Sequence, residues 1–483
     1  MRATVIGSGP NGLAAAVALA RSGYEVTVLE AAAIAGGGTS TAELTLPGFR
    51  HDIGSAVHPP AIASPFFRTA GIVDRVDWIT PDISYAQALA PGRSAIAWRD
   101  LGRTAAGLGD DERAWRRMIG PLSKHIDGVV DFTGNNMLRV PRDPATAIRF
   151  ALRMLPTGTR LGRAALRTPE AQALLTGVLA HANTPLPSLA GAAAGLMLAA
   201  HGHTRGGWGY PRGGAQAIAD AMIADLEANG GRVETGVHVR DLSALDWGDP
   251  ARGDLLMLDT TPRLALTLPD VPAGYARSLR RYAYGPAAAK VDFALDGPVP
   301  WADEALALAP TVHVGGSREE TEASENAVAH GRLGATPYVL AVQPSVLDPT
   351  RAPGGKQTLW AYIHVPLGSP IDPTAFITER IEHFAPGFRD RVLASHAVAA
   401  NAREAGNPAA IGGDILGGAF TLAQAFRRPT VGLAPWRTPM RGVYLAGAST
   451  PPGPGVTGMA GWHAARTALA DRGMPSSLEH VFA

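Results

Sequence analysis

The hexapeptide Gly7-Ser8-Gly9-Pro10-Asn11-Gly12 follows a short apolar run, Arg2-Ala3-Thr4-Val5-Ile6, and precedes an alanine-rich stretch that reaches Arg21. A strand, a glycine turn and a helix in that order make a seat for the pyrophosphate of a dinucleotide. Gly7 permits the tight turn, Gly9 lets backbone approach the phosphates, and Gly12 lets the helix pack closely on the strand. The helix then opens at Pro10 and Asn11 with its unpaired amides turned toward the anion. A second strand, Glu25-Val26-Thr27-Val28-Leu29, follows Gly23 and delivers Glu30, with Ala31 beside it, roughly 20 residues past the glycines, where a carboxylate accepts ribose hydroxyls. Three glycines alone would equally suit an ordinary turn. The agreement of both strands, the packing positions Ala16, Leu19 and Gly23, and the terminal acid carries the dinucleotide reading.

Farther along, single residues invite chemistry with less support. Lys290 lies on an alternation of Lys290, Asp292 and Ala294 against Val291, Phe293 and Leu295, which predicts a half-buried strand. Lysine occurs only at positions 124, 290 and 356. From the residues alone, the default for Lys290 is an exposed strand charge. His58, in His58-Pro59-Pro60 after the strand-like residues 49–55, reads either as part of a loop beside the bound dinucleotide or as a satisfied turn histidine. His201 and His203 flank Gly202 with no carboxylate or third ligand nearby, so no metal site is expected. Residues 206–214, with Trp208, Tyr210 and five glycines, read as backbone able to pass close to a flat ligand, or as a surface loop. His313-Val314-Gly315-Gly316 lacks a third glycine, and Glu319, Glu320 and Glu322 open the helix after it, which would repel phosphate. A second dinucleotide domain is therefore not expected.

The elements that must position these residues follow from periodicity and breakers. Residues 65–203 read as mostly helical. Within them residues 186–200 form an apolar run too short to span a bilayer at about 20 residues, hence a buried helix. Arg149, Arg153, Arg160, Arg163 and Arg167 lie among apolar residues over 147–166, a basic amphipathic pattern suited to a membrane surface. Pro156 and Gly158 interrupt it, so the default is a solvated helix face. A helix over 215–229 leads into a strand over 232–239. Further strands are expected over 255–259, 340–343 and 357–365, a helix over 374–384, and a glycine loop at 412–418. The strand ending at Gly447 and the run from Pro452 through Gly455, Val456 and Met459 into a last helix close the chain.

With 483 residues, two intertwined domains sharing a large core are expected. A formal net charge of +1 argues against a nucleic-acid partner. The absence of cysteine removes disulfides, thiolate metal sites, redox-active CxxC pairs and cysteinyl links to a cofactor. Because the first strand begins at Arg2, no signal or transit segment is expected and the cytoplasm is the default compartment.

Two resemblances extend this reading. Gly36-Gly37-Gly38, shortly after Glu30, resembles the extended fingerprint of FAD-binding proteins of the glutathione-reductase type, in which a diglycine approaches the same pyrophosphate; Thr39 stands where many relatives carry an arginine. The whole chain then resembles the phytoene-desaturase-like branch of the flavin amine oxidase superfamily, through residues 1–38, Tyr210-Pro211-Arg212-Gly213-Gly214, Ala288-Ala289-Lys290-Val291-Asp292 with Pro300-Trp301, Gly412-Gly413-Asp414, and Tyr444-Leu445-Ala446-Gly447 through Gly461. The resemblance implies an α/β fold: a Rossmann-like domain holding noncovalent FAD from residues 1–65, 205–265 and 430–483, with an interleaved α+β substrate domain from 66–204 and 266–429. It implies that Val239 holds the adenine through backbone and that Gly447, Gly455, Val456 and Met459 border the flavin, where a helix N-terminus favours the anionic reduced ring. It also implies hydride removal from a C–C or C–N bond, with oxygen or a quinone as acceptor. In the superfamily a comparable lysine holds a water beside flavin N5, which makes Lys290 the leading catalytic candidate, with His58 second. A desaturase or saturase acting on an apolar substrate comes first. An amine oxidase is the alternative, weakened because Val456 stands where amine oxidases carry an aromatic. A flavoprotein with a regulatory or assembly role is third.

Overall fold

A computed structural model describes residues 1–160 and 165–482. The first strand, Arg2–Ile6, ends at Gly7, whose φ of +96° lies in the left-handed region that glycine reaches without strain. The helix Pro10–Arg21 opens with proline, which needs no amide partner there. Residues 11–20 of that helix are all buried. Its alanines keep it thin enough to lie between the sheet and two further helices, Gln216–Ala228 and Met459–Asp471.

Five parallel strands form the first sheet, in the order Val443–Leu445, Leu255–Leu258, Arg2–Ile6, Glu25–Leu29, Arg232–Glu234. Their register pairs Ile6 with both Leu29 and Leu258, and Leu258 with Leu445. Gly7, Glu30, Asp259 and Ala446 therefore leave the sheet along one carboxyl edge, where open α/β sheets bind ligands. The strand expected over 232–239 stops at Glu234. Beyond it Gly236 turns with φ +74°, and the Val237 amide donates to the Glu30 carbonyl at 2.8 Å, so the chain crosses that edge instead of extending the sheet.

A second, mixed sheet has seven strands in the order Val392–Val398, Ala287–Leu295, Gln357–Val365, Val339–Val342, Thr311–Val314, Ile83–Ala90, Arg93–Trp98. Its last two strands correct the mostly helical reading of residues 65–203. They form a hairpin turning at Gly92, φ +72°. Alanine at 86, 88, 90, 95 and 97 gives that stretch a helical composition, and sheet burial overrides the propensity. The strand Ala287–Leu295 is also corrected: every residue is buried, because Ala287, Ala289, Val291 and Phe293 pack beneath the helix Thr374–Phe384 while Ala288, Lys290 and Asp292 face a cavity.

Residues 186–200 do supply a buried helix, Leu189–Gly202, capped by the Ser188 hydroxyl. Of the arginine-bearing stretch, Arg149 and Arg153 lie on the helix Pro144–Thr157, which runs through Pro156 and stops at Gly158. Arg163 lies outside the described residues. Among the described residues no helix is long and apolar enough to cross a membrane.

Candidate functional site

The carboxyl edge of the five-stranded sheet carries two glycine loops in contact. A Cβ added to Gly37 would lie 2.9 Å from the Gly9 Cα, and one added to Gly12 would collide with the Gly7 carbonyl. The loops can approach each other, and a diphosphate can approach them, only because both lack side chains. Glu30 stands at the next strand end and is 7% exposed. Its Oε2 accepts from the Ser8 amide at 2.8 Å and the Ser8 hydroxyl at 2.5 Å, and its Oε1 accepts from the Ala32 amide at 2.8 Å. A carboxylate offers about four acceptor positions, so one remains on Oε1 for a ribose hydroxyl. These features fit the diphosphate and ribose of a dinucleotide.

A cavity of about 1430 Å³ opens from this cradle into the space between the two sheets. Gly7, Gly9, Pro10, Asn11, Glu30, Ala31, Gly37 and Gly38 line its dinucleotide end, with Val239 on the loop that crosses the sheet edge. Gly455, Val456 and Met459 line it from the start of the last helix, and His58 and Lys290 from the opposite side. Three expected residues stand behind the wall. Gly12 packs on Gly7, the buried Thr39 hydroxyl donates to the Gly36 carbonyl at 2.7 Å, and Gly447 packs on Asp259 and Thr260.

Lys290 is 2% exposed, which overturns its default reading as an exposed charge. Its ammonium has three donors and meets three acceptors: the Asp52 carbonyl at 2.5 Å, the Ile53 carbonyl at 3.2 Å, and Asp292 Oδ2 at 2.8 Å. It thus pins the loop after Arg50–Asp52 to the strand Ala287–Leu295. Burial pulls the lysine below its ordinary value and pushes the aspartate above its own, each opposed by the other's charge. His58 is buried. Its Nδ1 lies 3.3 Å from the Ser55 hydroxyl while Nε2 has no partner, and burial lowers it to about 4, leaving a neutral imidazole at the cavity.

The segment 206–214 is no surface loop. Trp208 and Tyr210 are buried, Trp208 lines the cavity, and the Tyr210 hydroxyl donates to the Pro344 carbonyl at 3.0 Å. His201 is buried and His203 half-buried, burial lowers both to about 4, and His203 Nε2 lies 3.5 Å from the Trp115 indole nitrogen.

Several cavity residues escaped sequence reasoning. Asp259 ends the strand Leu255–Leu258, and its Oδ2 accepts from the Gly12 amide at 2.8 Å, capping the fingerprint helix from another strand. A Cβ on Gly9 would meet the same oxygen at 2.6 Å. Burial, reinforced by Glu30, pushes Asp259 up to about 7 against the pull of that hydrogen bond. On the far wall His181 Nε2 lies 2.9 Å from His313 Nε2, and Trp360, Tyr362 and Arg403 flank Lys290. An acid at the end of an apolar strand signals Asp259. Nothing local marks the pairing of His181 with His313 or the place of Arg403 on the cavity wall, which tertiary folding decides.

The architecture recurs in known structures. It matches wild-type putrescine oxidase bound to putrescine with TM-score 0.58, 16% identity and coverage of 98% of this chain and 99% of that one. The chain shares this fold. Cyclohexylamine oxidase from Brevibacterium oxydans matches with TM-score 0.55 and 16% identity, over 98% of this chain and 99% of that one. Residues 5–70 match the NAD(P)-binding Rossmann-like domain, the segment that holds the cradle and Glu30. In sequence the chain is similar to pyridine nucleotide-disulfide oxidoreductase domain-containing protein 2 of Rattus norvegicus, 25% identical over 97% of this chain and 93% of the relative.

Proposed function

We propose that the protein is an FAD-dependent oxidoreductase that removes hydride from an apolar substrate, in the manner of phytoene-desaturase-like enzymes. The observation that carries this reading is the continuity of one cavity from the glycine cradle to a chamber walled by Phe132, Phe150, Met154, Met197 and Leu198. FAD held there without a covalent bond would supply the hydride acceptor. The chain's own residues do the rest. Gly7, Gly9 and Gly37 make room for the diphosphate, Glu30 takes a ribose hydroxyl, and Lys290 fixes the loop that carries His58. The apolar walls keep water from the reacting carbon. Because protein acceptors already meet the three donors of Lys290, the reading favours electron transfer to a quinone or another carrier over a lysine-held water that assists oxygen.

A second reading, oxidation of a C–N bond, is supported by the fold shared with putrescine and cyclohexylamine oxidases. Against it, Val456 lines the cavity where an amine would need an aromatic face. Anaerobic mixing of the flavin-loaded protein with a panel of amines and a panel of detergent-dispersed polyenes separates the two. Bleaching of the flavin band by polyenes and by no amine is expected; fast bleaching by any amine alone would reverse the ranking.

An apolar substrate also needs a route from the lipid phase. The helix Pro144–Thr157 turns Phe150, Ala151 and Met154 into the cavity and exposes Ile148, Leu152 and Leu155 on its other side. This exposed face is the proposed contact with a membrane surface.

A further inference from the structure

Arg403 is a cation that the protein leaves unanswered on the cavity wall. It follows the strand Val392–Val398, and its Nε donates to the Ala288 carbonyl at 2.8 Å, which fixes the guanidinium against the cavity face of Ala287–Leu295. Among the described residues no carboxylate lies within 4.0 Å of it. Asp292, the acid whose field it feels, is already matched by Lys290 at 2.8 Å. Arg351 shows the contrast: buried nearby, it is gripped by Asp52 and Asp348, each at 3.0 Å. Arg403 is half-buried and keeps part of its water, so an apolar ligand lying against it would desolvate a charge that has no counter-charge, which is costly. Burial pulls Arg403 below its ordinary value, yet a guanidinium stays charged at working pH. Tyr362, within its electrostatic reach and lining the same wall, is pushed up by burial and so remains a neutral hydroxyl donor. Glu404 and Asn407 line the cavity beside it, and the same cavity continues to the apolar residues Phe150, Met154, Met197 and Leu198.

We infer that Arg403 receives a carboxylate of the substrate, so that the substrate is an apolar skeleton with one acid end rather than a pure hydrocarbon. The inference rests on the proposed reading of the cavity as the seat of an apolar hydride donor. A planar guanidinium matches a carboxylate through two parallel hydrogen bonds. A hydrocarbon would leave the charge desolvated, and an ammonium would be repelled by it.

The test uses the flavin-loaded protein and two matched pairs of probes, all-trans-retinoate with retinol and palmitoleate with palmitoleyl alcohol, read by tryptophan fluorescence and by shifts of the flavin band. In each pair that binds, the acid is expected to bind about tenfold or more tighter than the alcohol, the factor a charge-assisted hydrogen bond adds. Arg403→Met should abolish this preference while leaving alcohol affinity unchanged, and Arg403→Lys should keep part of it. Equal affinities in the parent protein, binding of none of the probes, or a preference that survives Arg403→Met would overturn the inference. So would a changed flavin reduction potential in Arg403→Met with the preference intact, because the cation would then serve the cofactor. Acid preference without flavin reduction by any polyene would leave Arg403 assigned and remove the hydride-transfer reading. Reduction by neutral polyenes with no acid preference would do the reverse.

Discussion

At the scale of the residue, Asp259 makes the sharpest claim. Its carboxylate caps the fingerprint helix beside the glycine cradle, and its pKa of about 7 stands above the roughly 3.9 of an unfolded aspartate. The folded protein therefore holds a proton that the unfolded chain has lost between those values. The stabilising contribution is complete below about pH 4 and disappears as pH rises through 7. Asp259→Asn keeps an acceptor for the Gly12 amide and cannot ionise. The variant should match the parent's melting temperature below about pH 4 and exceed it by a few degrees at pH 8, with FAD affinity gaining over the same range. A difference in Tm that does not change with pH would remove Asp259 from the titration. Residues of this kind mark where sequence reasoning stops. The position of Glu30 beside the glycine loop was legible because it depends on spacing along one short stretch of chain. Asp259, Arg403 and the burial of Lys290 depend on which strands become neighbours, and no local pattern records that.

At the scale of the element, the strand, turn and helix of the fingerprint were readable because local signals agree: apolar strands, left-handed glycine at Gly7, and proline at the first helical turn. The hairpin Ile83–Ala90 with Arg93–Trp98 was not, since its alanines imitate a helix and its pairing with Thr311–Val314 is remote in sequence. The last helix shows how closely these elements meet. A Cβ on Gly461 would collide with the Asn11 carbonyl of the fingerprint helix, so Met459–Asp471 and Pro10–Arg21 touch backbone to backbone. Gly461→Ala must push the helices apart. The expected cost is about 1–3 kcal/mol of stability, typical of overpacking, together with weaker FAD binding, because Asn11 and Met459 both line the cavity. Calorimetry and flavin titration check it. Unchanged values for both would mean that the helices separate freely and that their contact does not shape the cradle.

At the scale of the whole molecule, the apolar helix face does not end with the helix. Asn136 donates to the Gly432 and Leu433 carbonyls at 2.7 and 3.2 Å, which brings the loop containing Val431 and Leu433 beside Leu138 and Val140. Val140 is 79% exposed, Leu433 75% and Leu152 64%. With Ile148 and Leu155 they are exposed apolar side chains of the kind that marks a contact surface. Arg142, Arg149 and Arg153 border it without ion-pair partners within 4.0 Å among the described residues. That charge favours an anionic bilayer over a neutral one by about 1 kcal/mol per arginine near the surface. The solvated-face reading of the arginine pattern accounts for the charges but not for the leucines between them. Cosedimentation should therefore show binding to vesicles of phosphatidylcholine with phosphatidylglycerol, weaker binding to phosphatidylcholine alone, and loss of both in Ile148→Asp with Leu152→Asp. The buried face, with Thr146, Ala147 and Phe150, is untouched by those changes, so the double variant should still fold and hold FAD. Equal recovery of parent and variant with anionic vesicles would show that this surface does not meet the membrane, and apolar substrates would then have to reach the cavity through water or by a carrier.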